Sequence, residues 1–152
     1  MIDFSQYHFY YEALKLHFLL KISLASFLGG LVGLERGRRK KPAGLRTHIL
    51  VALGSCMFIE MSLLLPQIYP EAPAMDPSRI LAQMIVGISF IGAGTVIRTG
   101  DKIAGLTTAA AIWVTASIGA AVAANLFLEA IGMTIFTFFV LYELRSIERK
   151  AN

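Results

Sequence analysis

The chain has 152 residues, of which 56% are hydrophobic and only 16% are charged. Ordinary soluble domains carry roughly 25% charged residues, so this composition excludes a typical soluble domain and favours a small multi-pass membrane protein. The net charge of +4 is confined to short segments between apolar runs. The preference of membrane proteins for lysine and arginine in cytoplasmic segments accounts for this charge, so no nucleic-acid partner is predicted.

Five apolar stretches could each form a membrane-spanning helix, which needs about 20 mostly apolar residues. They cover residues 14–34, 48–65, 80–97, 103–124 and 126–144. The last two lie so close together, near Asn125, that they form a tight helical hairpin. We therefore predict an all-α integral membrane protein in which residues 1–152 form a single transmembrane domain of about five spans.

The segments between these spans alternate in positive charge. The densest runs from Glu35 to Lys41, and Arg98 and Lys102 lie in the third segment. Residues 66–79 contain four of the five prolines and only Arg79 as a basic residue. Because cytoplasmic segments are enriched in lysine and arginine, we predict that the N-terminus is outside and the C-terminus, which is also basic, is cytoplasmic.

The segment before the third span resembles a helix start. The Asp76 side chain can accept hydrogen bonds from free backbone N–H groups, and Pro77 suits the first helical position. A functional role for Asp76 is an equally open alternative.

Small residues spaced along the spans predict close helix packing, because they let helix backbones approach in lipid. The glycines concerned are Gly29, Gly33, Gly87, Gly92 and Gly94. The segment from Gly92 to Gly94 lacks the third glycine of a dinucleotide motif and the Gly-Lys-Ser/Thr of a phosphate loop, so no cofactor is predicted. No nucleophile–base–acid set is visible either, so we predict no catalytic residues and no enzymatic activity.

A first polar set falls at the cytoplasmic ends of the spans. It consists of Glu35, Arg36, Arg46, Thr47, Arg98, Thr107 and Thr108. We hypothesise a cytoplasm-facing pocket in which Glu35 pairs with Arg46, and whose arginines and hydroxyls suit an anion or an acidic side chain better than Mg²⁺. The alternative is that the arginines only anchor helix ends at lipid headgroups.

A second polar set is predicted near the outer side and consists of Lys21, Glu60, Asp76, Arg79 and Gln83. Because isolated charges at the depth of Lys21 and Glu60 are costly, we predict that these two residues form an ion pair. The alternative is that Lys21 snorkels to the outer surface. Glu60, Asp76 and Glu129 could offer oxygen ligands to a hard cation, but Lys21 and Arg79 compete, so a metal site stays open.

Six blocks of residues, in fixed order between about Gly29 and Gly119, carry a resemblance to a known family. They are Gly33-Leu34-Glu35-Arg36, Pro42-Ala43-Gly44-Leu45-Arg46-Thr47-His48, Asp76-Pro77-Ser78-Arg79-Ile80, Gly87-Ile88-Ser89-Phe90-Ile91-Gly92-Ala93-Gly94, Gly105-Leu106-Thr107-Thr108-Ala109-Ala110 and Ile112-Trp113-Val114-Thr115-Ala116. Each block is weak alone, but their order and spacing together resemble the MgtC/SapB family.

This resemblance implies a bacterial inner-membrane protein with about five spans. Members of the family are linked to growth in low magnesium, to survival inside host cells and hence virulence, and to control of the proton-translocating ATP synthase. Many also carry a cytoplasmic ACT-like domain after the last span, which is expected to be absent from a sequence that stops at Asn152.

We therefore interpret the chain as a regulatory protein that contacts other membrane proteins and forms a homo-oligomer through its small-residue faces. The alternative is a transporter or channel for an ion such as Mg²⁺, or for a small anion.

Overall fold

A computed structural model of the chain describes residues 4–69, 76–99 and 102–144. These residues form five α-helices and a small β-hairpin. In chain order the elements are α1 (Phe4–Arg38), α2 (Leu45–Ile68), α3 (Pro77–Ala93), β1 (Ile97–Thr99), β2 (Lys102–Ala104), α4 (Leu106–Ala123) and α5 (Phe127–Phe139), which continues into a π-helical turn at Val140–Leu144. Pro70, Pro73 and the basic tail, on which the topology prediction partly rests, lie outside the described residues.

Four helical segments are long and apolar enough to cross a membrane. They are Leu16–Arg38, Leu45–Ile68, Leu106–Ala123 and Phe127–Leu144. Helix α3 is also apolar but has 17 residues, or about 25 Å at 1.5 Å per residue, against a hydrocarbon core of about 30 Å. The prediction of an all-α membrane protein with about five helices is confirmed, whereas the membrane side of each terminus stays a prediction.

Helices α1, α2 and α4 form the core of the bundle. Their largest shared apolar cluster contains Ala25, Leu28, Val32, Ala52, Cys56, Ile59, Ile118 and Val122. The closest approach is between α2 and α4, where a Cβ atom added to Gly119 would overlap the carbonyl oxygen of Ala52. Only glycine permits this contact, which is the way in which small residues bring helices together in lipid.

The two remaining helices lie at the periphery. Helix α5 packs on α4 and α1 and buries Ala130, Thr134 and Thr137. Helix α3 packs on α2 and α4 but buries only Gly92 among its residues. The short connection between α4 and α5 contains Asn125, whose φ of 63° is left-handed, a conformation that asparagine tolerates at helix ends.

The third predicted span, residues 80–97, is placed too late. Helix α3 begins at Pro77 and ends at Ala93. The apolar residues Val96 and Ile97 prolong the hydrophobic run past the helix end, so composition alone cannot locate that end. As predicted, Asp76 caps the helix, because the Ser78 backbone N–H donates to Asp76 Oδ1 at 2.9 Å.

The β-hairpin after α3 was not predicted. Its strands are antiparallel, with Ile97 opposite Ala104 and Thr99 opposite Lys102. The sequence does contain a signal for it, since Val96, Ile97 and Thr99 are β-branched residues shortly before a Gly-Asp dipeptide, which is typical of hairpin connections. Gly105 then has a φ of 94°, so α4 begins at Leu106 rather than at the predicted residue 103.

The second predicted span, residues 48–65, is too short. Helix α2 runs from Leu45 to Ile68 and includes Pro66 in its last turn. A proline this close to the helix end removes only one of the final hydrogen bonds, so the helix does not stop there.

Candidate functional site

A buried ion pair joins α1 to α2. Lys21 Nζ lies 2.7 Å from Glu60 Oε2, and both side chains are buried. The structure thus brings together the two charges that the sequence suggested as partners, and Lys21 does not snorkel to a surface. Pairing lowers the high energy of each charge in a low-dielectric interior, although the desolvation of both groups offsets much of that gain.

Lys21 also donates a hydrogen bond to the last residue of helix α4. Its Nζ donates a second hydrogen bond, 2.8 Å long, to the carbonyl oxygen of Ala123, the last residue of α4. Carbonyl groups in the last turn of a helix have no partner within the helix, and a cation there also interacts favourably with the helix dipole. A single ammonium group therefore connects α1, α2 and α4.

A second buried polar contact lies in the first turn of α2. His48 Nδ1 is 2.8 Å from Thr115 Oγ1 on α4, and the Thr115 hydroxyl donates to the Ala111 carbonyl at 2.8 Å. If His48 Nδ1 carries the ring hydrogen it donates to Thr115 Oγ1, and in the other tautomer it accepts from that hydroxyl. The other ring nitrogen, Nε2, is buried without a hydrogen-bond partner among the described residues.

A third contact lies where α1 ends and α4 begins. Arg36 Nη2 donates to Thr108 Oγ1 at 3.1 Å, and both residues are buried. Glu35 accepts a hydrogen bond of 3.1 Å from Arg39 Nε, and its other carboxylate oxygen lies 3.9 Å from Arg36 Nη1. We call this end of the bundle, which holds residues 36–41, the basic end.

The predicted pairing of Glu35 with Arg46 is wrong. Glu35 pairs instead with Arg39, the residue that follows the end of α1, at the favourable i, i+4 spacing. His48 lies on the face of α2 that contacts α1 and α4. Arg46, two residues earlier, therefore lies on another face of α2 and is exposed. The first polar set is consequently divided between the α1–α4 contact and a separate surface.

That separate surface is a groove between α2 and α3 with a volume of about 1180 Å³. We call it the α2–α3 groove. Its lining is mostly apolar, but it includes Arg46, Thr47, Ser55, Arg79 and Gln83. Arg79 and Gln83 were predicted to lie with Lys21 and Glu60, but they face this groove instead. The reason is that α1 and α3 pack against different sides of α2.

The two ends of the groove are chemically distinct. Arg46 and Thr47 belong to the first turn of α2 at the basic end. At the opposite end, which we call the proline end, the Ser62 hydroxyl donates to the Pro77 carbonyl at 2.7 Å and ties α2 to the start of α3. Midway, Ser55 is 2% exposed, and its hydroxyl has no hydrogen-bond partner among the described residues.

The other predicted polar residues lie on exposed surfaces. Arg98 is on strand β1 and Thr107 is in the first turn of α4, and both are exposed. Asp76 is also exposed; hydrogen bonds from the Ser78 hydroxyl and backbone N–H hold the pKa of its carboxyl below the ordinary value. Among the residues that the structure describes, no three metal-capable side chains gather.

Two of the predicted packing glycines lie at a tight helix contact. A Cβ atom added to Gly29 would lie 2.7 Å from Ala52 Cβ, and one added to Gly33 would lie 2.7 Å from Leu45 Cα. Both distances are shorter than van der Waals contact, so these positions of α1 require a residue without a side chain.

The remaining three glycines do not bring helices into tight contact. A Cβ atom at Gly92 would meet Ala109 at an ordinary 3.6 Å, and one at Gly94 would meet only carbonyl groups of its own helix. At Gly87 it would meet nothing within 4 Å. The packing prediction is therefore wrong for Gly94 and for Gly87, which instead lines the α2–α3 groove.

Sequence reasoning missed the buried contact of His48 with Thr115. A signal for it exists, because the polar residues His48, Ser55 and Ser62 repeat every seven residues along α2. Two turns of helix separate residues seven apart, so this spacing marks one face. The matching interval between Thr108 and Thr115 marks the facing side of α4.

Comparisons with known proteins agree with this architecture. A model described as the MgtC family matches residues 22–150. The chain is 40% identical over 126 residues to an Escherichia coli K12 protein named "Putative magnesium transporter YhiD", an alignment that covers 82% of this chain and 59% of that protein.

Two further relatives come from other bacteria. Protein SapB of Bacillus subtilis is 42% identical over 121 residues, which cover 78% of this chain and 52% of SapB. Protein MgtC of Salmonella typhimurium is 37% identical over 135 residues, which cover 89% of this chain and 55% of MgtC. The chain thus spans little more than half the length of these relatives. No solved structure matches it.

Proposed function

The chain belongs to the MgtC family of multi-pass bacterial membrane proteins, and on that premise we propose that it is a non-enzymatic regulator of the inner membrane. In this proposal it supports bacterial adaptation to low magnesium by binding another membrane protein through helix–helix contacts. The printed name of the Escherichia coli relative supports the connection with magnesium.

The observation that carries this proposal is the exposure of α3. An apolar helix that buries only Gly92 leaves most of its surface to lipid or to another protein, and Phe90 is 83% exposed. Ala82, Ser89 and Ala93 are spaced by seven and four residues, so they lie on one exposed side of the helix. Small residues at such spacing let a second helix approach closely.

The partner that we propose is a transmembrane helix of the proton-translocating ATP synthase, the complex to which the family resemblance points. Lipid tails are as apolar as the exposed face of α3, so hydrophobicity alone would not hold two helices together there. Close packing against Ala82, Ser89 and Ala93 would supply the attraction.

The experiment that tests this proposal combines growth and cross-linking. Ser89→Leu should block the close approach and abolish growth support at low magnesium in cells that lack their own family members, while the amount of folded protein stays the same. A photo-cross-linker at position 89 should capture an ATP synthase membrane subunit. The matched control is Leu128→Ile on α5, which should leave both readouts unchanged.

Full growth support by the Ser89→Leu variant would overturn the proposed contact. Capture of a different membrane protein at position 89, lost in cells lacking that protein, would keep the regulatory role and replace the partner.

Transport is the second candidate, for Mg²⁺ or a small anion. It is favoured by the buried pair of Lys21 and Glu60, since ionisable residues inside a membrane bundle mark substrate pathways in many proteins. The printed name of the Escherichia coli relative also favours it. Purified protein in liposomes decides between the two: saturable uptake that Glu60→Gln abolishes would establish transport and overturn the regulatory proposal.

A further inference from the structure

The α2–α3 groove has open space at its centre. A Cβ atom added to Gly54 on α2, or to Gly87 on α3, would meet nothing within 4 Å. Because the groove lies between α2, which is long enough to cross a bilayer, and the shorter apolar helix α3, lipid or another protein must occupy it inside a bilayer.

Helix α5 has an outward face that matches such an occupant. Glu129, Phe136 and Glu143 follow one another at intervals of seven residues and are all exposed, with Phe136 at 69%. The opposite side of α5, with Ala130, Thr134 and Thr137, is buried against its own bundle. Glu129 and Phe136, seven residues apart in the α-helical part, therefore share this outward face, and Glu143 is exposed in the π-helical turn that follows.

The charges match at both ends. The Arg39 guanidinium lies 5.3 Å from the centre of the Tyr142 ring, which places the end of α5, with Glu143, at the basic end of the bundle, where Arg46 also lies. Glu129 belongs to the first turn of α5, at the proline end, where Arg79 lies. When two copies cross the membrane in the same direction, the acidic residues of α5 in one copy are therefore level with the arginines of the groove in the other copy, at both ends.

The spacing along the helices agrees as well. Glu129 and Glu143 are separated by about 20 Å, because the residues up to Phe139 rise 1.5 Å each and those of the π-helical turn rise less. The bond between Ser62 and Pro77 sets Arg79 level with about residue 60 of α2, so Arg46 and Arg79 are separated by a similar distance of about 21 Å. On the same scale Phe136 lies about 10 Å from the basic end, between the levels of Gly87 at about 9 Å and Gly54 at about 12 Å.

From these matches we propose that the α2–α3 groove binds helix α5 of a second copy of this chain. Glu143 pairs with Arg46, Glu129 pairs with Arg79, and Phe136 fills the space beside Gly54 and Gly87.

This contact is head-to-tail. A chain cannot fill its own groove, because its α5 packs on α1 and α4 whereas the groove lies between α2 and α3. Repeated contacts of this kind form a ring when the rotation closes. The proposal does not rest on the regulatory role, since a regulator and a transporter could share the same assembly.

The first test is cross-linking between two differently tagged copies of the full chain in membranes. In a Cys56→Ala background, one copy carries Arg46→Cys and the other carries Glu143→Cys. Oxidation should yield a disulfide-linked species with both tags, at least tenfold more abundant than with Glu143→Cys paired to Ser89→Cys, a position on the exposed side of α3. Equal yields from the two pairs would overturn the proposed contact.

The second test keeps the proposal falsifiable if cysteine variants fold poorly. Gly87→Leu should fill the groove, exclude the incoming helix and shift the detergent-purified protein to the monomer. The chain itself should stay folded, because the space beside Gly87 is open. The matched control, Val86→Leu on the exposed side of α3, should leave the oligomer intact. Arg46→Glu should also disrupt the oligomer, and combining it with Glu143→Arg should restore it.

Native mass spectrometry of the purified protein identifies the occupant directly. An oligomer that dissociates in Gly87→Leu supports the proposal, whereas a monomer carrying a phospholipid that Gly87→Leu loses would overturn it. Failure of the Ser89→Leu growth test would leave these outcomes unchanged, so the two proposals fail independently.

Discussion

At the residue scale, the buried pair of Lys21 and Glu60 can be tested by removing one partner or both. We expect Lys21→Met to destabilise the folded protein by about 3–5 kcal/mol, because it leaves the Glu60 carboxylate buried without its partner. Lys21→Met combined with Glu60→Met should recover most of that loss, since neither charge then remains. The residual loss would come from the Ala123 carbonyl, which loses its donor. Unfolding of the detergent-solubilised protein, followed by circular dichroism, measures both changes.

Lys41→Met is the matched control for this pair, because Lys41 is exposed and its removal should change the unfolding free energy little. If the double variant were as unstable as Lys21→Met alone, the ion pair would not be the source of the loss. If it were stable but inactive in the growth assay, the charges would serve function rather than folding.

At the scale of the elements, the start of α3 depends on the cap at Asp76. The pKa of this carboxyl is lowered in the folded protein, first by the Ser78 hydroxyl and then by the Ser78 backbone N–H. A lowered folded-state pKa means that the cap contributes fully above the unfolded value of about 3.9, and that its contribution is lost as the pH falls through the folded-state value.

We therefore expect the first turn of α3 to open at low pH. Hydrogen exchange of the amides at the start of α3 should be less protected at pH 2.5 than at pH 6, after correction for the intrinsic exchange rate. In Asp76→Asn, which keeps a capping oxygen without a titratable proton, protection should not change between the two values. The same loss of protection in the asparagine variant would show that Asp76 is not its cause.

The contact between α2 and α4 tests packing at the same scale. Gly119→Ala should destabilise the bundle by about 1–3 kcal/mol, because its Cβ would overlap the Ala52 carbonyl and push the two helices apart. Gly54→Ala, at an open position of α2, should be neutral or stabilise by up to about 1 kcal/mol through higher helix propensity. Similar unfolding free energies for the two variants would contradict this account of the contact.

At the scale of the whole molecule, the sidedness of the bundle is the prediction that remains to be measured. In a Cys56→Ala background, Gln67→Cys near the proline end should react with a membrane-impermeant thiol reagent in intact cells. Lys41→Cys at the basic end should react only after the cells are lysed. The reverse pattern would show that the basic end faces outward, contrary to the positive-inside rule.

The sequence alone determined the class of the molecule, because length and hydrophobicity decide whether a segment can cross a bilayer. It also found the cap at Asp76, which needs only neighbouring residues, and the pair of Lys21 and Glu60, since two charges at similar depth have few other partners. The blocks from Gly33 to Ala116 indicated the family, because their order is a property of the sequence itself.

Only the tertiary structure decided which polar residues meet. The partner of Glu35 and the face of Arg46 depend on the rotation of α2 about its own axis, and composition carries no information about that angle. His48 contacts Thr115, and Gly87 lines open space, for the same reason. A helix can present any of its sides to its neighbours until close contacts, such as that of Gly119 with Ala52, fix which side is buried.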